Sequence, residues 1–412
     1  MVGDDFPNVV QAVYAGLIMP RKILIITPKF PIPTTGACEQ ERLAGFLQLQ
    51  RLGFDIRIIS KFFEWQNREE IIKWGNMHNI AVDLLPYEFQ RQWSLNPLHW
   101  DGAANEYAST ETRQSVENIA RSYQPDIAWF DYSYLWPLYH LFKAKNIPVI
   151  TRSINFEATH FLQEDGISLK NLLKFFPKVI SELLMIKKSD YIFAITPKEE
   201  RLYKRLGAAN VATLPLRSLP DLLKTTREIR PTDQLHLFFM GASYNVHHNR
   251  QAAALLIKEV APELEKRAPG KFFFHILGKK LPTDLADLCR GNIKEEGFVD
   301  NLDAFLREQV DIAVIPSIMG AGMQQKIFEP LVYGIPSVVS PRGLAGYPFK
   351  DGEHLLLAET KNEFMEQILK LQDINLRRLL SENALRLSQK IFSQAELDGI
   401  VKKGLNNLLH DQ

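Results

Sequence analysis

The stretch Gly320-Ala321-Gly322-Met323-Gln324-Gln325-Lys326-Ile327-Phe328-Glu329 brings glycines, amides, a cation and a carboxylate close together. An apolar run, Ile312–Pro316, leads into it, and Tyr333-Gly334-Ile335-Pro336 followed by Ser337-Val338-Val339-Ser340 leads out. Glycines ahead of a helix let the backbone approach a ligand. The free N–H groups of the first turn, with the helix dipole, favour an anion such as a diphosphate. Glu329 is expected two turns into that helix, where a carboxylate can accept two hydrogen bonds from a sugar diol. A phosphate loop at Gly320, Gly322 and Met323 beside an acid for a ribose reads as a nucleotide site. The alternative is an ordinary tight turn with a solvated glutamate.

Other stretches offer related chemistry. Pro28-Lys29-Phe30-Pro31-Ile32-Pro33-Thr34-Thr35-Gly36 is stiffened by three prolines. It sets the small residues Thr34, Thr35 and Gly36 at a helix N-terminus, suited to an anion or equally to a helix cap. Lys279 and Lys280 follow a glycine and suit diphosphate charge, although a lysine pair on a surface loop is commonly just solvated. His247-His248 offers diverging side chains and no third ligand, so no metal site is expected. No Asp-x-Asp occurs to hold a divalent ion on a diphosphate. Ser168–Lys188 carries five lysines and one glutamate among Leu, Phe, Ile and Met, with Pro177 expected to interrupt it. Such an amphipathic basic segment suits an anionic membrane surface, or the lining of an acceptor cleft. Tyr87–Trp100 reads as a lid or as core.

The elements that must position these residues alternate strand and helix, the mark of parallel doubly wound sheets. Strands are expected at Lys22–Thr27, Asp55–Ser60, Ala81–Leu85, Ile127–Phe130, Val149–Arg152, Tyr191–Thr196 and Val211–Leu214. A helix at Ala37–Leu52 is closed by Gly53. The rhythm breaks at 217–234, a polar linker, and restarts with strands at Leu235–Gly241, Phe272–Gly278, Ile293–Glu296, Ile312–Pro316 and Ser337–Ser340. Asn249 is the expected N-cap of a helix reaching about Arg267. The organisation expected is an extension at 1–20, a first Rossmann-like domain at 21–216, the linker, a second at 235–393, and a helix at 394–412 packing back on the first domain.

Bulk properties narrow the classes. At 412 residues two domains are the natural prior. A formal charge of +1 gives no electrostatic footprint for nucleic acid. Two cysteines, Cys38 and Cys289, exclude a disulfide framework and fit a reducing compartment. The start lacks a basic region before its apolar patch, and no run reaches the roughly 18 apolar residues of a membrane span. A cytoplasmic protein is expected, with peripheral contact at the inner membrane face as the alternative.

The layout and the pattern at 311–340 resemble the GT-B glycosyltransferases, specifically the retaining family 4 type. That family's Glu-x7-Glu fingerprint has its second half in Glu329-Pro330-Leu331-Val332-Tyr333-Gly334-Ile335-Pro336-Ser337-Val338-Val339. Ala321 stands where the first acid, which contacts the transferred sugar, would be. Gly-Ala-Gly-Met-Gln-x-Lys-x-x-Glu is similar to a superfamily variant in which amides and a lysine, here Gln324, Gln325 and Lys326, replace the acid. Gly241-Ala-Ser-Tyr244 resembles the opening of the family's donor domain, and Glu296-Gly297-Phe298-Val299-Asp300 the segment that meets the base. Thr151–His160 is similar to an Arg-x-His-Asn-x-Glu segment, matched by Arg152, Asn155 and Glu157, with Ile154 at the His position and His160 nearby.

The resemblance implies an α/β GT-B fold, two Rossmann-like domains facing a cleft. It implies a retaining, metal-independent hexosyltransferase moving a sugar from a nucleotide-diphosphate-sugar to a carbohydrate or lipid-linked hydroxyl, with no cofactor. Glu157, His160 and Lys326 are the catalytic candidates. Gly36, Gly241, Lys279, Lys280, Phe298, Val299, Gly320, Gly322, Met323, Gln324, Gln325 and Glu329 would hold the donor. Thr34, Thr35, Arg152 and Asn155 would hold the acceptor. The alternative is a catalytically silent GT-B module binding a glycan or protein partner, motivated by Ala321 and Ile154.

Overall fold

The computed structural model describes residues 21–34, 36–87, 100–223, 228–317 and 323–410, without the side chains of 163–165, 409 and 410. The expectations for residues 1–20, for Thr35, Gly320, Ala321 and Gly322, and for most of Tyr87–Trp100 lie outside the described residues.

The first sheet is parallel and seven-stranded: β1 (Lys22–Thr27), β2 (Asp55–Phe62), β3 (Ala81–Pro86), β4 (Ile127–Phe130), β5 (Val149–Ser153), β6 (Tyr191–Ala194) and β7 (Val211–Thr213). Its order is β3-β2-β1-β4-β5-β6-β7. The second sheet has six strands: β8 (Leu235–Ser243), β9 (Phe272–Lys279), β10 (Ile293–Gly297), β11 (Ile312–Ile315), β12 (Ser337–Val339) and β13 (Leu356–Leu357). Its order is β10-β9-β8-β11-β12-β13. Central strands such as Ile-Ala-Trp-Phe in β4 are buried on both faces, because helices cover both sides of a parallel sheet. The two-residue β13 is too short to leave a pattern in sequence.

Each sheet reverses strand order once, between β1 and β4 and between β8 and β11. In open α/β sheets such a switch point leaves a crevice at the carboxyl ends of the strands, where ligands bind. The Pro28–Gly36 loop follows β1 and residues 316–324 follow β11, so both stretches singled out above leave a switch-point strand.

Helix α1 (Ala37–Arg51) follows the first loop and ends at Gly53, whose φ of +88° a β-carbon would strain. Helix α2 (Glu157–Asp165) follows β5, and α3 (Leu169–Lys188) runs unbroken through the buried Pro177. Pro177 does not interrupt the helix as expected; a proline costs one backbone bond, which packing of the remaining turns offsets. Helix α4 (His247–Leu255) continues through a π-helical turn, Leu256–Val260, into Ala261–Arg267. Pro262 lies just past that turn and has no N–H to extend the regular ladder. The N-cap of α4 is Val246, not Asn249, whose side chain is used elsewhere. Helix α5 (Gln325–Val332) follows the second loop.

The last helix, α6 (Gln394–His410), returns to the first sheet. Leu397, Val401 and Leu405 lie in one apolar cluster with Ile23, Trp129 and Phe193. Ile154, Ile195, Leu216 and Leu219, from the first half of the chain, are buried in the cluster of the second sheet. A β-carbon on Gly346 would meet Met323 at 2.5 Å and Thr196 at 2.8 Å, so Met323, Gly346 and Thr196, just past β6, lie together.

Candidate functional site

At the second switch point the leading feature is Lys326, in the first turn of α5. Its Nζ lies 3.3 Å from Oδ1 of Asn249 and 5.7 Å from the centre of the Phe239 ring. Burial pushes its pKa down to about 8, because a charge loses hydration there that one amide oxygen does not replace. Asn249 is buried and donates to the Ser243 carbonyl at 3.1 Å, which fixes the oxygen facing Lys326. Sequence reading missed this partner because it placed Asn249 at a cap.

Around Lys326 the α5 N-terminus is built from side chains. Gln324 is the N-cap; its Oε1 accepts from Ser317 at 2.6 Å and its carbonyl accepts from the Tyr347 hydroxyl at 3.2 Å. Gln325 is half-buried at the first helical position. Met323 is buried at 7% exposure among core residues, so its side chain is packing. Glu329 lies a little over one turn into α5, nearer the N-terminus than expected, half-buried and electrostatically coupled to Tyr333. Three residues apart, Lys326 and Glu329 share one helix face, a cation and an acid at adjacent turns.

On the same carboxyl edge, Lys279 ends β9 and stands 4.0 Å from the ring centre of Phe298, which is 62% exposed. Val299 beside it is half-buried against the core. Lys280 is exposed with φ of +62°, a turn position. Gly241 has a packing reason of its own: a β-carbon would lie 2.9 Å from the Tyr244 ring. Gly278, at φ +137°, is tighter still, with a β-carbon 1.8 Å from the Gly241 carbonyl oxygen.

At the first switch point the Pro28–Gly36 loop is held from outside. Tyr107 donates to the Pro28 carbonyl at 3.0 Å, Arg42 to Lys29 at 3.3 Å, and Gln66 to Phe30 and Ile32 at 2.8 and 2.7 Å. Thr34 is exposed and donates to the Pro31 carbonyl at 3.2 Å. Gly36 caps α1 in extended backbone that any residue adopts, and a β-carbon there would meet nothing closer than Glu39 at 3.4 Å. Neither conformation nor packing demands a glycine. Across the crevice, Arg42 lies over the Tyr132 ring at 4.9 Å, beside Asp131 at the end of β4. Sequence reading named none of these three; the strand order of the folded sheet is what singles out the residues after β4.

Arg152 is corrected by the structure. It is fully buried: its Nε donates to Glu41 at 2.9 Å, and its guanidinium donates to the Leu214 and Pro215 carbonyls at 2.6 and 3.1 Å. Arg217 donates to the same Glu41 at 2.8 Å. Burial alone would push the Glu41 carboxyl up, but Arg217 and Arg152 together hold it below the usual range. Arg152 therefore ties α1 to β5 and β7 and has no face left for an acceptor. Ile154 is buried at 6%, between the two halves.

Asn155 is half-buried and its carbonyl accepts from Ser153 at 3.0 Å. Glu157 and His160 stand in the first turn of α2, whose leading N–H groups already have acids: Phe156 N–H donates to Glu199 at 3.0 Å and Glu157 N–H to Glu182 at 2.9 Å. Burial pushes Glu182 up to about 8 and Glu199 to about 6. Two acids therefore already stand at this helix end, which disfavours an anionic ligand there. Its capping acids come from distant helices, and no local spacing announces them.

The structure brings Lys326, Glu329, Gln324 and Gln325 together at one switch point, and Thr34 and Gly36 at the other. Among the described residues, no three His, Cys, Asp or Glu side chains group to hold a metal ion. His236, His275 and Glu296 form a hydrogen-bonded chain at 2.9 and 2.7 Å. The cavity of about 660 Å³ beside His236 and His275 opens near the start of β8, away from both crevices.

The sequence profile of the family described as Glycosyl transferases group 1 matches residues 234–373, the stretch containing the second switch point. Among curated proteins, none matches the chain. Several solved structures share the whole fold. TarM of S. aureus superposes with a TM-score of 0.67 at 12% identity, covering 94% of this chain and 98% of TarM. Sucrose-phosphate synthase from Thermosynechococcus elongatus gives 0.65 at 12%, covering 95% and 100%. Anabaena HepE in complex with UDP-glucose gives 0.62 at 13%, covering 94% and 99%. These are GT-B glycosyltransferases, and the present chain has that fold.

Proposed function

From the premise that residues 234–373 form a glycosyl transferases group 1 domain on a GT-B fold, we propose that the protein is a nucleotide-sugar-dependent glycosyltransferase. The observation that carries this reading is Lys326: a half-buried cation beside Asn249 at the switch point, one turn from Glu329. A buried lysine whose charge is poorly compensated is stabilised by an incoming diphosphate. Glu329 grips the ribose hydroxyls, and Phe298 with Lys279 offers a face to the base. HepE and TarM are described with UDP or UDP-glucose, which makes a uridine diphosphate sugar the first donor to try.

Departure of the diphosphate leaves charge on its oxygens. Lys326 and the backbone N–H groups leading into α5 stabilise that charge as it develops. The acceptor, a carbohydrate or lipid-linked hydroxyl, enters from the first switch point past Thr34, Gly36, Arg42 and Tyr132. Glu157 and His160 orient the hydroxyl, and closing the crevice keeps out the water that would hydrolyse the donor. We assign transfer with retention, without a metal, at the inner face of a membrane.

Isothermal titration with UDP and UDP-glucose tests the reading: binding is expected, weakened at least about tenfold in Glu329→Ala by loss of charge-assisted hydrogen bonds. Absence of any nucleotide binding at millimolar concentration overturns it. A second reading, a silent GT-B module, is favoured by Ile154, an apolar side chain buried at the histidine position of the Arg-x-His-Asn-x-Glu segment that Thr151–His160 resembles. A donor-hydrolysis assay separates the two, since the silent module turns over no donor.

A further inference from the structure

Helix α3 is apolar on its solvent side. Leu169, Leu173, Phe176, Ile180 and Leu183 recur at steps of four and three, one face of a helix. Leu169 is 78% exposed, Leu173 66% and Phe176 62%, and Ile167 just ahead of the helix is 82% exposed. The side facing the protein instead holds Pro177, Ser181, Glu182, Met185 and Ile186. Among the described residues, packing accounts for none of the outward leucines, and a contiguous exposed apolar face marks an interaction surface.

Charge identifies the partner. Lys170, Lys174 and Lys187 are exposed, while the one acid of the helix, Glu182, is buried. Lys178 spends its charge on Asp101 at 3.5 Å. Trp100, 58% exposed, lines with Phe161, Lys174 and Lys178 a cavity of about 500 Å³ beside the stripe. Leucines and a phenylalanine flanked by lysines, with a tryptophan at the margin, suit the headgroup and acyl boundary of a bilayer. Pairing with a second copy would set these lysines against each other, whereas an anionic leaflet attracts them.

We propose that this face docks the protein on an anionic lipid bilayer, with Ile167, Leu169, Leu173 and Phe176 entering the interface and Lys170, Lys174 and Lys187 meeting the headgroups. Helix α2, which carries Glu157 and His160, is joined to α3 by the three residues Gly166, Ile167 and Ser168. Docking therefore holds the carboxyl edge of the first sheet near the membrane, where a lipid-linked hydroxyl would reach it. That consequence rests on the transferase reading; docking itself does not.

Cosedimentation of the full chain with phosphatidylcholine vesicles, with and without phosphatidylglycerol, tests it. Binding is expected only with phosphatidylglycerol and should weaken as salt rises. Leu173→Glu with Phe176→Glu should abolish it, and Lys170→Glu with Lys174→Glu should weaken it more than about tenfold, each lysine contributing roughly fivefold. These exposed changes should leave Tm and UDP affinity unaltered. Equal binding to both vesicles, no binding to either, or a self-association in sedimentation velocity that Leu173→Glu abolishes overturns docking. Vesicle binding without UDP binding overturns the transferase reading and leaves docking standing.

Discussion

At the residue scale, the site turns on how Lys326 holds its proton. Burial lowers its pKa from the ordinary 10.5 to about 8, so at neutral pH the folded protein carries a charge it binds less tightly than the unfolded chain does. Two consequences follow with opposite signs. Folding stability should rise between about pH 8 and 10.5, where the folded state has already released the proton and the unfolded state has not. Affinity for UDP should instead fall as pH rises through about 8, since the diphosphate needs the cation. Titration calorimetry across that range checks this, and Lys326→Gln should flatten the profile; an unchanged profile in the variant would assign the effect to another group. Gly36 offers a different test. Because neither its backbone nor its neighbours require glycine, Gly36→Ala should change unfolding free energy by no more than about 1 kcal/mol, the difference between glycine and alanine at a helix N-cap. A loss of turnover without a loss of stability would place a ligand against that position, and unaltered turnover would remove Gly36 from the site.

At the element scale, the start of α2 is set by two acids, the buried Glu182 and the half-buried Glu199. Glu182 accepts from Ser133 after β4 at 2.9 Å and from the first N–H of α2, joining two loops at the carboxyl edge of the first sheet. Its second oxygen has no hydrogen-bond partner among the described residues. Burial raises its pKa from 4.5 to about 8, so the neutral acid is the stable folded form. Its contribution is therefore fully present below about pH 4.5 and is lost as pH rises through about 8. Glu182→Gln keeps both accepted bonds and cannot ionise. Urea unfolding midpoints of the variant should fall less steeply between those pH values than those of the parent, and parallel curves would show that Glu182 is charged throughout.

At the scale of the whole molecule, the chain's last helix completes the core of its first sheet. Leu397, Val401 and Leu405 are buried, Asp398 accepts from Gln48 and Arg51 of α1 at 2.9 and 3.2 Å, and a β-carbon on Gly404 would strike Phe193 at 2.6 Å. Each fully buried aliphatic side chain contributes roughly 1.5–3 kcal/mol. Removing residues 394–412 should thus cost on the order of 5 kcal/mol and lower the thermal midpoint. An unaltered midpoint would show that α6 only rests on the surface. The two halves are further joined by Ile154, Ile195, Leu216 and Leu219, apolar groups of the first half that close the core of the second.

What the sequence determined by itself was local and periodic. Short apolar runs bounded by turns gave β1 and β4 to the residue, because a parallel strand buried on both faces must be apolar throughout. The same rhythm located the loops after β1 and β11, and with them Gly36, Gln324, Lys326 and Glu329. The tertiary structure alone decided where each charge finds its partner. Arg152 meets Glu41 from 111 residues away and Lys326 meets Asn249 from 77 residues away, separations that no local spacing encodes. Thus an arginine that resembled a ligand contact became a buried strut, and a segment expected to break at Pro177 became one helix with its leucines turned outward. Burial is a property of how elements pack together, and only packing settles which polar group loses water and which keeps it.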